Sequence, residues 1–230
     1  DAQALRNSPV PVKVQLGAKG EGAGNIPEVA KKLAEESAAE VEALFDDNTR
    51  MAFITAGMGG GTGTGAAPVV ARIAKEKGVL TVGIVTIPFL FEGEPKILQA
   101  FAGVEEMRKH VDALLVINNE RLCKIYPDLS WTTAFAKADD SLSNAARSIA
   151  ELVSKDGKIN LDFADVRTTL KDGGAAVIST GSGEGEHRMS RAIQNALTSP
   201  LLKESDIYGA ERVLFNLYFS PEEGEELRMQ

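Results

Sequence analysis

The sequence is poor in residues that form covalent or metal cross-links. Its 230 residues include one cysteine, Cys123, and two histidines, His110 and His187, which lie far apart. A single cysteine excludes an intrachain disulfide, and the histidines have no metal-ligand spacing around them. Cys123 has no nearby histidine to activate it, so we do not expect a thiol nucleophile. This cysteine usage favours a cytoplasmic protein.

Long apolar runs and excess positive charge are also absent. No run approaches the roughly 18 residues of a membrane span, and the first residues, DAQALRNSP, lack the features of a signal peptide. They also lack an initiator methionine, so we expect a fragment. The balance of 25 basic against 33 acidic residues gives a formal charge of −8. That charge disfavours nonspecific binding to nucleic acid or to a membrane surface.

Strand and helix patterns alternate along the first two-thirds of the chain. Apolar, β-branched runs predict strands, and amphipathic stretches between them predict helices. The predicted strands are Val10–Leu16, Met51–Ala56, Val79–Ile87 and Ala113–Ile117. The predicted helices begin at Pro27 and cover residues 66–77, 94–109 and 133–153. This order predicts an α/β fold with a doubly wound, Rossmann-like parallel sheet.

The remainder of the chain predicts a second, smaller domain of α+β type. We place the boundary near residues 154–158, so that the long helix joins domains covering residues 1–156 and 157–230. The second part contains predicted strands at Ala175–Thr180 and Arg212–Phe219, with a helix between them over residues 186–197. One final strand is too little to close a sheet, which again indicates truncation.

The stretch TAGMGGGTGTGAAP, Thr55–Pro68, contains six glycines in nine positions and lies between a predicted strand and a predicted helix. Backbone N–H groups and a helix N-terminus at one point suit a phosphate, and glycines let the backbone approach it. Thr62 and Thr64 add hydroxyl donors. A tight turn alone normally needs one or two glycines. The absence of a following lysine excludes the GxxxxGK[ST] loop.

A dinucleotide-binding alternative remains open for the same loop. Gly61, Gly63 and Ala66 fit the pattern GxGxxA. However, no acidic residue ends the next strand, where a carboxylate would bind ribose. The loop GEGAGN, residues 20–25, is either a second anion cradle or a flexible turn. Two such loops in one domain favour a polyphosphate.

Further polar and aromatic residues follow the next two predicted strands. Glu92, in TIPFLFEG, is either a ribose-binding carboxylate at the carboxyl edge of the sheet or a solvated loop residue. Asn118 and Asn119 follow the strand Ala113–Ile117. An aromatic ring with amide and carboxylate partners suits guanine. The asparagines offer the amide, and Phe135, Asp139 and Asp140 on the long helix offer the ring and the carboxylates. Their alternatives are a core phenylalanine and favourable charges near a helix N-terminus.

The stretch NLDFADV contains two carboxylates, Asp162 and Asp165. Asp162 is a candidate N-cap of a helix that begins at Phe163, with Asp165 completing a capping box. Alternatively, the two carboxylates orient a water molecule for attack on a phosphate. The residues alone favour the cap.

Four stretches in this order resemble the tubulin/FtsZ family, especially its bacterial cell-division members: GMGGGTGTGAAPVVA, PFLFEG, NLDFADVRTTL and SGEGEHR…SPLL. The resemblance covers nearly the whole chain. It implies a cytoplasmic GTPase that polymerises head to tail and forms the cytokinetic ring at mid-cell, attached to the membrane by adaptor proteins and controlled by other division proteins. It implies GTP or GDP as the ligand, with Mg²⁺ accompanying the nucleotide but no protein metal ligand.

The resemblance also implies roles for individual residues. The phosphates would contact Gly22, Ala23, Gly24, Asn25, Gly57, Gly59, Gly60, Gly61, Thr62, Gly63, Thr64 and Gly65. Ribose and guanine would contact Pro88, Glu92, Lys96, Asn119, Phe135, Asp139 and Asp140. Asn160, Asp162 and Asp165 would enter the nucleotide site of a neighbouring subunit and act in catalysis. Lys96 stands where the family usually has arginine, and Asp139 where it commonly has asparagine.

The chain departs from the family pattern at both ends. The first strand, with its own phosphate loop, and the end of the C-terminal domain have no counterpart here. If these residues were the entire polypeptide, we would expect weak GTP binding or none. A non-hydrolysing member that docks onto filaments therefore remains an alternative, and a dinucleotide-dependent oxidoreductase is a more distant one.

Overall fold

The computed structural model describes residues 2–126, 128, 130–154, 161–185, 187–198 and 209–219. Its strands are β1 (Met51–Gly57), β2 (Leu80–Ile87), β3 (Ala113–Asn118) and β4 (Gly174–Ala176). Its α-helices are α1 (Ala2–Asn7), α2 (Pro27–Glu36), α3 (Ala38–Glu42), α4 (Gly61–Glu76), α5 (Glu94–Arg108), α6 (Glu120–Ile125), α7 (Trp131–Ser154), α8 (Phe163–Leu170) and α9 (Arg188–Leu197). A 3-10 turn covers Leu90–Glu92.

The four strands form one parallel sheet in the order β1-β2-β3-β4. Every residue of β2 is buried, because its unbroken apolar run has helices on both sides. Parallel strands bring the carboxyl ends of β1, β2 and β3 to one edge of the sheet. The predicted α/β fold with a parallel sheet is therefore confirmed.

Helices cover both faces of this sheet. One face packs against α4 and α5 through a cluster that includes Ala71, Val85 and Met107. The other packs against α7 through a cluster that includes Ile84 and Ile149. A third cluster joins α2 to the outer side of α4. Among the helices of the described residues, none combines the length and apolar character needed to cross a membrane.

Two predictions in the N-terminal half need correction. Val10–Leu16 was expected to be a strand but has no regular structure, because Val14 and Leu16 pack against the α2–α4 cluster while Val10 and Val12 remain exposed. The helix expected from residue 66 begins at Gly61. Part of the glycine-rich stretch therefore forms the first turns of α4. Its glycines lack Cβ atoms and so permit close packing of these turns against neighbouring backbone.

The C-terminal part differs more from expectation. The strand expected over Ala175–Thr180 is reduced to the short β4, which pairs with β3 in the same sheet. Arg212–Phe219 is not a strand, since it has no strand partner among the described residues and Val213 and Tyr218 are exposed. The helix expected from residue 186 is α9, and residue 186 lies outside the described residues. So do residues 155–160, which contain the predicted domain boundary.

Candidate functional site at the carboxyl edge of the sheet

The glycine-rich loop connects the carboxyl end of β1 to the N-terminus of α4. Gly60 is the N-cap, with extended backbone, and Gly59 has a φ of +97°. The Gly59 N–H donates to Oγ1 of Thr64 at 2.9 Å, and Thr64 is buried whereas Thr62 is exposed. Thr64 therefore fixes the loop from inside, while Thr62 lies on the surface of the first turn of α4.

The glycines of this loop divide into two groups. A Cβ atom at Gly61 would lie 2.9 Å from the Ile26 nitrogen, and one at Gly63 or Gly65 would overlap a backbone carbonyl oxygen. These three glycines allow close packing of the backbone. Gly60 differs, because a Cβ atom there would have nothing within 4 Å. The space beside Gly60, at the positive end of the α4 dipole, is where an anion could approach the backbone.

The second glycine-containing loop lies beside the first. Ala23 is buried, and its Cβ is 2.8 Å from the Cβ position of Gly61. Gly24 and Asn25 both have left-handed backbone, with φ of +57° and +63°. Gly22 is exposed. The structure thus brings residues 22–25 and the start of α4 together, as a shared anion site would require.

Gln99, on α5, joins the two loops and was missed by sequence reasoning. Its Nε2 donates to the carbonyl oxygen of Gly59 at 3.0 Å and to that of Asn25 at 3.4 Å. Gln99 follows Lys96 by three positions, so both lie on one side of α5. This helical spacing after PFLFEG was the available signal.

The PFLFEG segment packs directly on the glycine-rich loop. A Cβ atom at Gly59 would lie 2.7 Å from Cγ of Pro88 and 2.8 Å from the carbonyl oxygen of Lys96. Glu92 is not merely solvated: its Oε1 accepts from the Phe89 N–H at 3.0 Å and its Oε2 pairs with Nζ of Lys96 at 3.0 Å. A carboxylate has further lone pairs, so these contacts still leave Glu92 able to accept from a ligand hydroxyl.

Asn119 has the clearest unsatisfied polar atom of the site. Its backbone N–H donates to the carbonyl oxygen of Ile87, the residue is buried, and its Oδ1 has no hydrogen-bond partner among the described residues. A buried acceptor without a partner costs about 1–3 kcal/mol, which a ligand donor would offset. Asn118 instead accepts from the Glu120 N–H at 3.0 Å and stabilises the turn. Of the two asparagines, Asn119 is the one suited to a ligand.

The aromatic candidate, Phe135, lies beside the PFLFEG segment. Its ring meets those of Phe89 and Phe91 edge-on, with centroids 5.5 and 6.1 Å away, and the residue is 38% exposed. It is therefore not a core residue. Asp139 and Asp140 are exposed on the same helix, and Asp140 pairs with Nζ of Lys137 at 3.7 Å.

Asp162 and Asp165 form the expected capping box of α8. Oδ1 of Asp162 accepts from the N–H groups of Ala164 and Asp165 at 2.6 and 3.0 Å, and Oδ2 of Asp165 accepts from the Asp162 N–H at 3.2 Å. These bonds use one oxygen of each carboxylate. Both residues are exposed. Asn160, the third predicted catalytic residue, lies outside the described residues.

The capping box lies at the opposite edge of the sheet from the glycine-rich loop. The Arg50 guanidinium is 4.0 Å from the centroid of the Phe163 ring, and Arg50 directly precedes β1. Gly57, at the other end of β1, begins the loop. Seven residues of strand separate the two ends by about 20 Å. The structure therefore does not bring Asp162 and Asp165 to the glycine-rich loop of the same chain.

Cys123 and the described acidic and histidine side chains are candidates for thiol and metal chemistry. Burial and the neighbouring Glu120 carboxylate raise the pKa of the Cys123 thiol, which opposes the thiolate form. Within the part of the chain that the structure describes, no group of three or more His, Cys, Asp or Glu side chains is placed to hold a metal ion.

The fold and loop geometry define an α/β protein with a candidate anion-binding site at the carboxyl edge of its sheet, and comparisons with known proteins narrow its class. The family model for the Tubulin/FtsZ family, GTPase domain, matches residues 1–127, and that for the FtsZ family, C-terminal domain, matches residues 174–226. The cell division protein FtsZ of Porphyromonas gingivalis is 64% identical over 97% of this chain and 50% of its own length. That of Wigglesworthia glossinidia brevipalpis is 47% identical over 94% of this chain and 57% of its own length.

Solved structures agree with these sequence matches. An empty FtsZ dimer from M. jannaschii has a TM-score of 0.82 and 45% identity, over 88% of this chain and 60% of that one. CetZ2 from Haloferax volcanii, a GTPγS-bound protofilament, has a TM-score of 0.66 and 25% identity, over 80% of this chain and 55% of that one. The chain belongs to the tubulin/FtsZ family. It spans about half the length of the curated relatives it matches.

Proposed function

We propose that this protein binds GTP and GDP at the carboxyl edge of its sheet and hydrolyses GTP to GDP and phosphate. The observation that carries the proposal is the meeting of two glycine-containing loops at the N-terminus of α4, with open space at Gly60. Unpaired N–H groups and a helix dipole at one point suit a polyphosphate. Family membership supports guanine as the base.

Each part of the nucleotide has a proposed set of contacts. The phosphates would lie against residues 22–25 and 57–65, the ribose near Pro88, Glu92 and Lys96, and the base near Asn119. Phe135 would stack on guanine, and Asn119 Oδ1 would accept one of its N–H groups. Asp139 and Asp140 would contribute carboxylates at the base edge. Mg²⁺ bound with the nucleotide would neutralise charge on its β and γ oxygens.

We propose that hydrolysis takes place between two copies of the chain. The capping box of Asp162 and Asp165 begins α8, whose Phe163 contacts Arg50 at the amino end of β1, and β1 extends about 20 Å from there to the glycine-rich loop. Head-to-tail contact would bring this edge of one copy to the nucleotide of the next. There the carboxylate oxygens outside the capping box, with Asn160, would orient a water molecule for attack on the γ-phosphorus. The bond from the γ-phosphorus to the bridging oxygen breaks, and GDP and phosphate leave.

The same geometry supports polymerisation. Since the two halves of the catalytic site face opposite ways, repeated contact would build a filament rather than a closed pair. We propose that this filament forms the division ring at mid-cell in the cytoplasm, with membrane-adaptor and regulatory division proteins as partners. The division into residues 1–156, which bind nucleotide, and residues 157–230, which serve polymerisation, belongs to the same proposal.

The alternatives make different predictions for ligand binding. An oxidoreductase would bind NAD in preference to GTP, yet β2 ends at the buried Ile87 without a ribose-binding carboxylate. A non-hydrolysing filament-binding member would change the sedimentation of an active relative without turnover of its own. Calorimetric titration with GTP, GDP, ATP and NAD distinguishes the oxidoreductase from the proposed GTPase. Measurement of phosphate release distinguishes the non-hydrolysing member from it.

The binding experiment uses the natural protein that contains these residues and the variant Gly60→Val. Gly60 has extended backbone, which valine adopts readily, and its side chain would fill the open space. We expect Gly60→Val to lose GTP and GDP binding at unchanged Tm, whereas Asp162→Asn keeps binding and loses hydrolysis. Preferential binding of NAD or ATP, or full GTP affinity in Gly60→Val, would overturn the proposed site.

A further inference from the structure

The Gln99 side chain bridges two loops that are distant in sequence. Its amide donates to the carbonyl oxygens of Gly59, at 3.0 Å, and Asn25, at 3.4 Å, and these residues lie 40 and 74 positions from it. A glutamine amide has two N–H donors, so it can make both bonds together. Both acceptors belong to residues with left-handed backbone. Glycine adopts this conformation without strain, whereas Asn25 keeps it only where surrounding contacts hold it.

The bond to Gly59 fixes the direction of the next peptide group. In a trans peptide the C=O of one residue and the N–H of the next point in opposite directions. When the Gly59 carbonyl is held toward α5, the Gly60 N–H points away from α5. If that peptide turned over, a carbonyl oxygen would replace an N–H donor on the side facing an anion and would repel it.

The orientation of the Gly59–Gly60 peptide depends on the contacts around Gly59, among them the hydrogen bond from Gln99. The loop touches α5 closely at the Lys96 carbonyl, and the Gly59 N–H is held by Thr64. The Gly59 carbonyl oxygen accepts from the Gln99 amide. The Asn25 carbonyl, in the second loop, is held by the same amide. One side chain therefore adds a hydrogen-bonded link between both halves of the candidate phosphate site, beside the direct packing of Gly61 on Ala23.

We propose that Gln99 is a positioning residue that joins the two phosphate loops and keeps the Gly59–Gly60 peptide in its anion-binding orientation. This inference rests on the proposed nucleotide-binding function. Gln99 acts through the backbone and need not touch the ligand. Its loss should weaken contacts to phosphate and leave contacts to the base unchanged.

The first test measures the joining of the loops without any ligand. Gln99→Met keeps the length of the side chain and removes the amide. Gln15→Met is a matched control, since the Gln15 amide also donates to two carbonyl oxygens, those of Gly17 and Ala18, within a single loop. We expect amide hydrogen exchange at Gly59 and Ile26, both hydrogen-bonded in the structure, to accelerate about fivefold or more in Gln99→Met. Gln15→Met should leave Gly59 unchanged.

The second test separates phosphate from base by comparing GDP with guanosine. The net free energy of one hydrogen bond corresponds to about a five- to tenfold loss of affinity for GDP. We expect that loss in Gln99→Met, with guanosine affinity within twofold of the natural protein and Tm little changed. An equal loss for both ligands, or no loss for GDP, would overturn the positioning role.

The outcomes also distinguish the inference from the function beneath it. If exchange at Gly59 and Ile26 is unchanged in Gln99→Met, Gln99 does not join the loops and the inference is wrong. If the natural protein binds neither GDP nor guanosine, the proposed function is wrong and the nucleotide half of the inference falls with it. The exchange result then still decides whether Gln99 joins the loops.

Discussion

At the scale of single residues, glycines perform two different tasks around the site. Gly61, Gly63 and Gly65 let backbones pack closely, whereas Gly60 leaves open space for a ligand. Sequence reasoning weighed these tasks as alternatives for the whole loop. The structure shows close packing at three glycines and open space at Gly60, so substitutions can test stability and binding separately.

Gly103, on α5, is the sharpest test of the packing task. A Cβ atom there would lie 2.6 Å from Cγ2 of Thr64 and 3.1 Å from Sδ of Met58. We expect Gly103→Ala to lower the free energy of unfolding by about 1–3 kcal/mol through overpacking. Urea denaturation measures this. The matched control is Gly60→Ala, which meets no atom within 4 Å and should cost almost no stability; equal losses in the two variants would contradict the assignment.

Glu106 makes the stability of the fold depend on pH in the acid range. A hydrogen bond from Lys109, at 2.7 Å, and a contact with Lys31 of α2 lower the pKa of Glu106 from 4.5 to about 2. Because the pKa is lower in the folded state, this carboxylate stabilises the fold above about pH 4.5, and the contribution is lost as the pH falls toward 2.

We therefore expect the stability difference between the natural protein and Glu106→Gln to be largest near neutral pH. It should shrink steadily below pH 4.5, which urea denaturation at several pH values measures. The exposed pair Arg108 and Glu105 provides a control, since Glu105→Gln should change stability little at any of these pH values. A Glu106→Gln effect that does not vary with pH would refute the pKa assignment.

At the scale of secondary-structure elements, the sequence predicts the central βαβ units well and the edges poorly. β1, β2, β3, α5 and α7 lie within two residues of the expected bounds, because their apolar patterns reflect burial on known faces. Val10–Leu16 and Arg212–Phe219 also have apolar patterns typical of strands, but they have no strand partner among the described residues. A local pattern cannot reveal whether a partner strand is adjacent.

The candidate site could likewise be predicted only in part from the sequence. The residues of the loops predicted the capping box of Asp162, which is confirmed, and two anion-binding loops, which the structure places side by side. Sequence reasoning could not choose between Asn118 and Asn119, nor find Gln99. Those distinctions depend on burial and on contacts across 40 or more positions of the chain.

Substitutions of Asp162, the N-cap of α8, can distinguish its capping role from a catalytic role. Asparagine caps a helix about as well as aspartate, whereas alanine costs about 0.5–2 kcal/mol. We expect Asp162→Asn to retain stability and Asp162→Ala to lose that amount in urea denaturation, while both lose GTP hydrolysis. Normal hydrolysis in Asp162→Asn would leave Asp162 with only the structural role.

At the scale of the whole molecule, the strand direction separates two sets of functional residues. The nucleotide-binding candidates cluster at the carboxyl edge of the sheet, whereas the capping box lies near the amino end of β1, a strand about 20 Å long. Neither set can complete the proposed reaction within one chain. The proposed reaction therefore requires contact between copies, and turnover per chain should rise with protein concentration.

The most direct test mixes two variants that are each inactive for a different reason. We expect Gly60→Val to lose GTP binding while retaining Asp162, and Asp162→Asn to bind GTP while lacking the carboxylate. We measure phosphate release with Mg²⁺ present, for each variant alone and for their mixture at the same total concentration. The account predicts that the mixture regains turnover, because Asp162 of one copy serves the GTP of the other. A mixture as inactive as its components would contradict a site shared between copies.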